Sequence, residues 1–141
     1  MKHPIVLVTG VFDLLHAEHV LFLKKARALA GSLLIGVESD IRVKKMKGEG
    51  RPIQSEKVRA QVIQELQLAD SVFVLPQQFD TIEDHRKLLA QLKPDIIAVS
   101  SHTAYQQEKK KLMEEIGGTV VSIHEHNPKT STTQLINTRN T

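Results

Sequence analysis

Residues 5–10 read IVLVTG, and residues 11–19 continue as VFDLLHAEH. The run from Ile5 to Val8 is continuously apolar and closes at Gly10, which is typical of a strand buried on both faces of a parallel sheet. Helical spacing of apolar side chains then extends from His19 to Ala30. The start of the chain is therefore expected to form a strand, a tight turn and a helix.

The same alternation repeats along the rest of the chain. Further strands are predicted over Leu33–Val37, Val72–Leu75, Ile96–Val99 and Val120–Ile123, and further helices over Glu56–Leu68, Thr81–Leu92, Tyr105–Ile116 and Ser131–Asn137. Strands that alternate with helices indicate βαβ units with right-handed crossovers. The predicted fold class is α/β, a Rossmann-like, doubly wound, parallel five-stranded sheet in a single domain over residues 1–141.

Composition excludes several classes of function. The chain has no cysteine, so a disulfide framework, a thiolate zinc site and a cysteine nucleophile are excluded. Its net charge of +3 and its aromatic content of 4% give no sign of a nucleic-acid partner. No apolar run is long enough to span a bilayer, and the first residues do not form a secretory leader, so no membrane partner and a cytoplasmic location are expected.

The loops that follow the strands are where ligands bind in sheets of this kind, near the point where the strand order reverses. His16 and His19 lie in the first such loop and, being three residues apart, share one face of the following helical turn. Two imidazoles beside the free amides of a helix start can donate hydrogen bonds to phosphate oxygens. A zinc site needs a third ligand, which this segment lacks, so no metal held by the protein is expected.

Two further segments have the composition of phosphate-binding elements. Residues 42–52 hold five basic side chains and two glycines after the second strand, which predicts a mobile basic loop that closes over a triphosphate. Residues 129–136 place consecutive hydroxyl side chains before an apolar pair, which predicts the N-terminus of a helix and a second place for phosphate.

Together these segments resemble the cytidylyltransferase-like nucleotidyltransferases. The family pattern is a Gly-x-Phe-Asp turn, an HxGH motif and a distant Ser-Thr-Thr, and this chain has residues 10–13 (GVFD), His16-x-x-His19 and residues 131–133 (STT) in that order. The resemblance covers essentially the whole chain. Residues 43–53 look most like the adenylyltransferases that activate heptose 1-phosphate, whereas the length is similar to that of glycerol-3-phosphate cytidylyltransferase; a third related group makes FAD from FMN.

This resemblance implies an enzyme that transfers a nucleoside monophosphate from ATP or CTP to a small phosphorylated acceptor and releases pyrophosphate. The acceptor is a sugar phosphate, glycerol phosphate or an FMN-like molecule. The implied cofactor is Mg²⁺, bound mainly through the triphosphate. The resemblance leaves a homodimer open.

The same resemblance implies a role for each matching residue. The catalytic residues are His16, His19, Lys44 and Lys47; those that bind the nucleotide are Thr9, Gly10, Val11, Phe12, Asp13, Arg59, Thr130, Ser131, Thr132 and Thr133; those that bind the acceptor are Ser100, Ser101 and His102.

Two departures from the family pattern keep alternatives open. Glu18 stands where HxGH has glycine, and His102 lies near the place of an aspartate that relatives carry after the fourth strand. A carboxylate beside a triphosphate is repulsive. The alternatives are a nucleotide-binding homologue with impaired catalysis and an interaction domain that binds no nucleotide.

Overall fold

A computed structural model of the protein describes residues 4–100 and 106–124. Strands and helices alternate along this part of the chain, as the sequence predicts. In chain order the elements are β1 (Ile5–Gly10), α1 (Ala17–Leu29), β2 (Ser32–Val37), α2 (Asp40–Lys47), α3 (Glu56–Glu65), β3 (Ser71–Val74), α4 (Ile82–Leu92), β4 (Ile96–Ser100), α5 (Gln106–Glu115) and β5 (Thr119–His124).

The strands form one parallel sheet in the order β3-β2-β1-β4-β5. β1 lies at the centre and pairs with β2 from Ile5 opposite Ser32 to Gly10 opposite Val37. The chain winds outward to β3 and then crosses to β4 on the other side of β1, so the strand order reverses between β1 and β4. The predicted five-stranded Rossmann-like sheet is confirmed. The edge at which sheets of this kind bind ligands lies at the carboxyl ends of β1 and β4.

Each face of the sheet carries its own apolar cluster. Val6 and Val8 of β1 pack with buried residues of α1 and α3 on one face, whereas Leu7 packs with buried residues of α4 and α5 on the other. This alternation is the two-residue period of a strand. Burial of each such side chain contributes roughly 1.5–3 kcal/mol. Both faces therefore hold the loops of the carboxyl edge on a rigid base.

The helix starts are set by short polar side chains. The hydroxyl oxygens of Ser39, Ser55 and Thr81 accept backbone N–H groups in the first turns of α2, α3 and α4, respectively. Asp84 completes a capping box on α4 by accepting the N–H of Thr81. Each cap satisfies a donor that the helix itself leaves unpaired.

Helix α2 corrects one prediction from the sequence. Residues 42–52 were expected to form a mobile basic loop, but Asp40–Lys47 is helical. Ser39 caps this helix, and Val43 is its fully buried residue. The acidic first turn and the basic last turn interact favourably with the helix dipole. The helix ends at Gly48, whose φ of 92° suits a glycine. The loop is therefore confined to the residues between α2 and α3.

Several predicted positions lie outside the described residues. They are Ser101, His102, Thr130, Ser131, Thr132, Thr133 and the predicted helix over residues 131–137. Within the described ranges, none of the helices has the length and apolar character required to cross a bilayer.

Candidate active site

The loop from β1 to α1 has a constrained backbone. Phe12 and Leu14 have φ values of 53° and 56°, in the left-handed region that side chains other than glycine rarely adopt. A Cβ atom at Gly10 would lie 2.9 Å from the ring of Phe12, so glycine is required for the close approach of that ring. Such a conformation costs of order 1 kcal/mol for each residue and persists only where the surroundings hold it.

Asp13 holds this loop against the segment that precedes α3. Its buried carboxylate accepts the N–H of Ile53 at 2.7 Å through Oδ2 and that of Gln54 at 2.9 Å through Oδ1. Oδ2 also lies 3.4 Å from Nε of Arg51. In return, the N–H of Leu14 donates to Oε1 of Gln54 at 3.2 Å. Asp13 thus fixes the position of Arg51 as well as the turn itself.

Arg59 is a second connection, and it is fully buried. Its Nη1 donates to the carbonyls of Val11 at 2.9 Å and Glu38 at 2.7 Å, and its Nε donates to the carbonyl of Gln54 at 3.0 Å. Its Nη2 donates to Oδ1 of Asp40 at 2.7 Å. The sequence led us to expect a phosphate contact. The guanidinium instead has no exposed surface and hydrogen-bonds to groups of the protein itself. We correct its role to that of a clamp that joins the loops of the site.

His16 and His19 form a stacked pair at the start of α1. Their ring centroids are 3.8 Å apart, with 21° between the ring planes, and the ring of Phe12 meets that of His19 edge-on at 5.5 Å. His16 is the N-cap, and its Nδ1 accepts the N–H of Glu18 at 3.2 Å. Nδ1 of His19 accepts the N–H of His16 at 3.3 Å, which closes a capping box.

This capping box sets the tautomer of both imidazoles. A neutral imidazole that accepts through Nδ1 carries its proton on Nε2. Each ring therefore carries its proton on Nε2, and Nε2 of His16 is a buried atom. Both rings lie at a helix start, where the dipole favours negative charge. The sequence predicted the shared face of the two rings, and the structure shows that the Nδ1 atom of each accepts a backbone N–H.

Glu18 has a local structural role at the same helix start. Its N–H is the group that His16 accepts, and its side chain lies in the first turn of α1. A carboxylate in the first turn interacts favourably with the helix dipole. The departure from HxGH is thus stabilising for α1.

Of the basic residues in α2 and the loop that follows it, Lys47 and Arg51 come close to Asp13. Partial burial of the Lys47 ammonium group and the nearby charge of Arg51 lower the pKa of Lys47, whereas the carboxylate of Asp13 acts to raise it. The side chain of Arg51 is 11% exposed, and its Nη2 is a buried atom without a hydrogen-bond partner among the described residues. Lys44 instead lies 3.6 Å from the exposed Glu49. Reasoning from the sequence missed Arg51 as a site residue.

The other predicted residues that the structure describes lie at the same edge of the sheet. Thr9 is near the carboxyl end of β1, and Ser100 ends β4, where its carbonyl accepts Nε2 of Gln106 at 2.9 Å. Among residues 4–100 and 106–124, no group of three or more histidine, aspartate or glutamate side chains is arranged to hold a metal ion. The imidazole and cationic side chains fit a triphosphate, and they fit Mg²⁺ only as an ion carried by that triphosphate.

We expect Asp13→Asn to destabilise the protein by about 2 kcal/mol, because the amide NH₂ would face a backbone N–H and leave that buried donor unsatisfied. For a chain of this size the melting temperature falls by roughly 4–8 °C. Thermal unfolding followed by circular dichroism measures this change. Asp80→Asn is the control, since Asp80 is exposed. A melting temperature equal to that of the wild type would contradict the role of Asp13 in holding the loop.

Comparison with known proteins identifies the family of this chain. The Cytidylyltransferase-like family model matches residues 7–138. The chain is 38% identical over 133 residues to the Bifunctional protein HldE of Pelobacter propionicus, and 44% identical over 96 residues to that of Helicobacter pylori strain P12. These alignments cover 94% and 68% of this chain, but only 26% and 20% of those relatives. The chain thus spans about a quarter or less of their length.

Solved structures give the same fold. A lipopolysaccharide core biosynthesis protein from Thermoplasma volcanium has a TM-score of 0.71 and 28% identity, with 89% of this chain and 98% of that chain covered. A pantoate-beta-alanine ligase from Francisella tularensis has a TM-score of 0.63 at 16% identity, with 90% and 61% covered, and supports the fold alone. With a family model matched over residues 7–138 and the stacked histidine pair at the switch point, the chain belongs to the cytidylyltransferase-like family of nucleotidyltransferases.

Proposed function

We propose that this domain transfers the adenylyl group of ATP to the phosphate of a sugar phosphate and releases pyrophosphate. The observation that carries the proposal is the capped, stacked pair of His16 and His19, which follows the carboxyl end of β1 and accepts backbone N–H groups through its Nδ1 atoms. The likeness of residues 43–53 to adenylyltransferases that act on heptose 1-phosphate supports ATP and a sugar phosphate over CTP and glycerol phosphate.

In this reaction a phosphate oxygen of the acceptor attacks the α-phosphorus in line. The new O–P bond forms as the bond from the α-phosphorus to the bridging oxygen breaks, and the electron pair leaves with pyrophosphate. No general base is needed because the attacking phosphate is already an anion. The Nε2–H groups of His16 and His19, together with Lys47 and Arg51, stabilise the charge that develops on the triphosphate. Magnesium supplies further neutralisation of the triphosphate oxygens when bound.

The backbone of the β1–α1 loop contributes orientation. Its conformation is held by Asp13 and Arg59, so its amides and the two imidazoles keep one geometry before the nucleotide arrives. Positioning of this kind removes much of the entropy that a bimolecular step loses in solution. Catalysis therefore rests on orientation and charge rather than on a covalent intermediate.

A thermal-shift comparison of ATP, CTP, GTP and UTP, each with magnesium, tests the nucleotide. We expect ATP to give the largest shift, because a ligand present at 100 times its Kd stabilises the folded state by about 2.7 kcal/mol. Pyrophosphate release is then assayed with heptose 1-phosphate, glycerol 3-phosphate and FMN as acceptors. The absence of a shift with every nucleotide at millimolar concentration would refute the proposed function, and a larger shift with CTP would refute the choice of ATP.

A further inference from the structure

The histidine pair at the start of α1 can hold that helix start only in one state of protonation. Nδ1 of His16 accepts the N–H of Glu18 at 3.2 Å, and Nδ1 of His19 accepts the N–H of His16 at 3.3 Å. In a neutral imidazole with its proton on Nε2, Nδ1 is also the atom that takes up a second proton. A proton on Nδ1 would face a backbone N–H donor, so the hydrogen bond would be lost. Each ring therefore caps α1 only while it is neutral.

The stacking of the two rings also opposes protonation. Their centroids lie 3.8 Å apart with 21° between the ring planes, so two imidazolium ions would repel each other at contact distance. Both rings lie at the N-terminus of a 13-residue helix, where the dipole disfavours a cation. Protonation of one ring thus removes a cap, and protonation of both adds the repulsion between them.

Charged side chains on the elements around the pair give a cation no net support. In the part of the chain that the structure describes, they are Glu18 in the first turn of α1, Asp13 in the preceding loop, Lys47 and Arg51 beside Asp13, and Arg59, which hydrogen-bonds to the same loop. The carboxylate of Asp13 already accepts two backbone N–H groups. Because the cations outnumber the carboxylates, the hydrogen bonds at Nδ1 govern whether the rings take up protons.

We propose that His16 and His19 act as a pH-sensitive latch on the junction between β1 and α1, closed while both imidazoles are neutral and opened as they take up protons. The backbone beside them is strained, since Phe12, whose ring meets His19 edge-on, and Leu14 have φ values of 53° and 56°. Such conformations persist only where their surroundings hold them. Loss of the two caps removes part of that support. This inference depends on the geometry of the pair and not on the reaction proposed above.

Acid therefore destabilises the folded protein through this pair. In the unfolded chain each imidazole takes up a proton near about pH 6.5, whereas the folded pair resists it. The stability that the pair contributes is fully present above that pH and is lost as the pH falls below it. His85 acts in the same direction, because burial and the charge of Lys109 lower its pKa. The effect of the pair must therefore be measured separately from that of His85.

Urea unfolding of the wild type and of His16→Asn/His19→Gln, at about pH 8 and about pH 5.5, tests the proposal. Asparagine and glutamine offer uncharged oxygens that accept the same two N–H groups at both pH values. We expect acidification to raise the unfolding equilibrium constant about 10- to 100-fold more in the wild type, since each proton that the folded pair excludes contributes about 10-fold one unit below pH 6.5. An increase of the same size in both proteins overturns the proposal.

The same comparison in a His85→Gln background is the control. The ring of His85 stacks on Phe79, which packs in the apolar cluster under α4 and α5, whereas Phe12 beside the histidine pair packs in the cluster on the other face. We therefore expect the difference between the two proteins to persist in this background. Its disappearance would assign the acid effect to His85 and overturn the proposal.

Nitrogen-15 NMR of the wild type gives a second test, which does not require any variant to fold. We expect both rings to carry their proton on Nε2 at about pH 8. The amide signals of His16 and Glu18 should then shift together with the ring nitrogens as the pH is lowered. A proton on Nδ1 of either ring at about pH 8, or amide signals that stay in place while the rings titrate, overturns the proposal.

Discussion

Replacement of His16 by asparagine is expected to lower kcat/KM for adenylyl transfer by about 10²- to 10³-fold, the usual effect of removing one donor that stabilises transition-state charge. Asparagine is a good N-cap residue, and its Oδ1 can accept the N–H of Glu18 in place of Nδ1. The substitution therefore keeps the helix start but removes the Nε2–H donor. Steady-state assays of pyrophosphate release and thermal unfolding measure the two effects separately.

His16→Ala provides the comparison that separates capping from catalysis. It removes both the donor and the cap, so we expect the same loss of activity together with about 1 kcal/mol of lost stability. His19→Gln is the matched variant of the partner residue, because glutamine at the third helical position keeps the capping box. Wild-type activity in His16→Asn would show that the imidazole serves the helix and not the reaction.

Replacement of Arg59 by methionine should produce the largest loss of stability, about 3–5 kcal/mol. Methionine fills much of the same volume but leaves the carbonyls of Val11, Glu38 and Gln54 buried without this donor. The melting temperature is expected to fall by roughly 10 °C for a chain of this size. Urea unfolding followed by circular dichroism gives the free energy directly.

Arg86→Met is the control for Arg59→Met. Arg86 is partly exposed and pairs with Glu83 and Glu115 on the surface, so its loss should change stability by less than about 1 kcal/mol. Arg59→Lys is informative as well, since an ammonium group cannot reproduce the fork geometry of a guanidinium. Equal stability of Arg59→Met and the wild type would mean that the loops of the site hold their positions without the clamp.

The strand pattern and the histidine spacing were readable from the sequence because both depend on short-range periodicity. Continuous apolar runs predicted all five strands of the sheet to within about two residues at either end. The spacing of His16 and His19 predicted that they share a face, and their stacked rings confirm it. Both features can be predicted from residues that are close together in the sequence.

The parts that sequence reasoning missed depend on contacts between distant residues. Asp13 meets Ile53 and Gln54 about forty positions further along, and nothing in either segment alone marks that pairing. Arg59 was expected to bind phosphate because a basic residue near a binding loop usually does, but burial among backbone carbonyls decided its role. The run of basic residues led us to predict a loop where α2 forms. The cap at Ser39 and the burial of Val43 stabilise this helix despite its charge.

The Arg59 clamp also bears on how this domain can diversify in evolution. The groups it binds at Val11, Glu38 and Gln54 are main-chain carbonyls, which every amino acid carries. The hydrogen bonds of the clamp therefore do not depend on which side chains stand at these three positions. Substitutions at positions 11 and 38 can therefore accumulate in a lineage without removing the hydrogen bonds of the clamp.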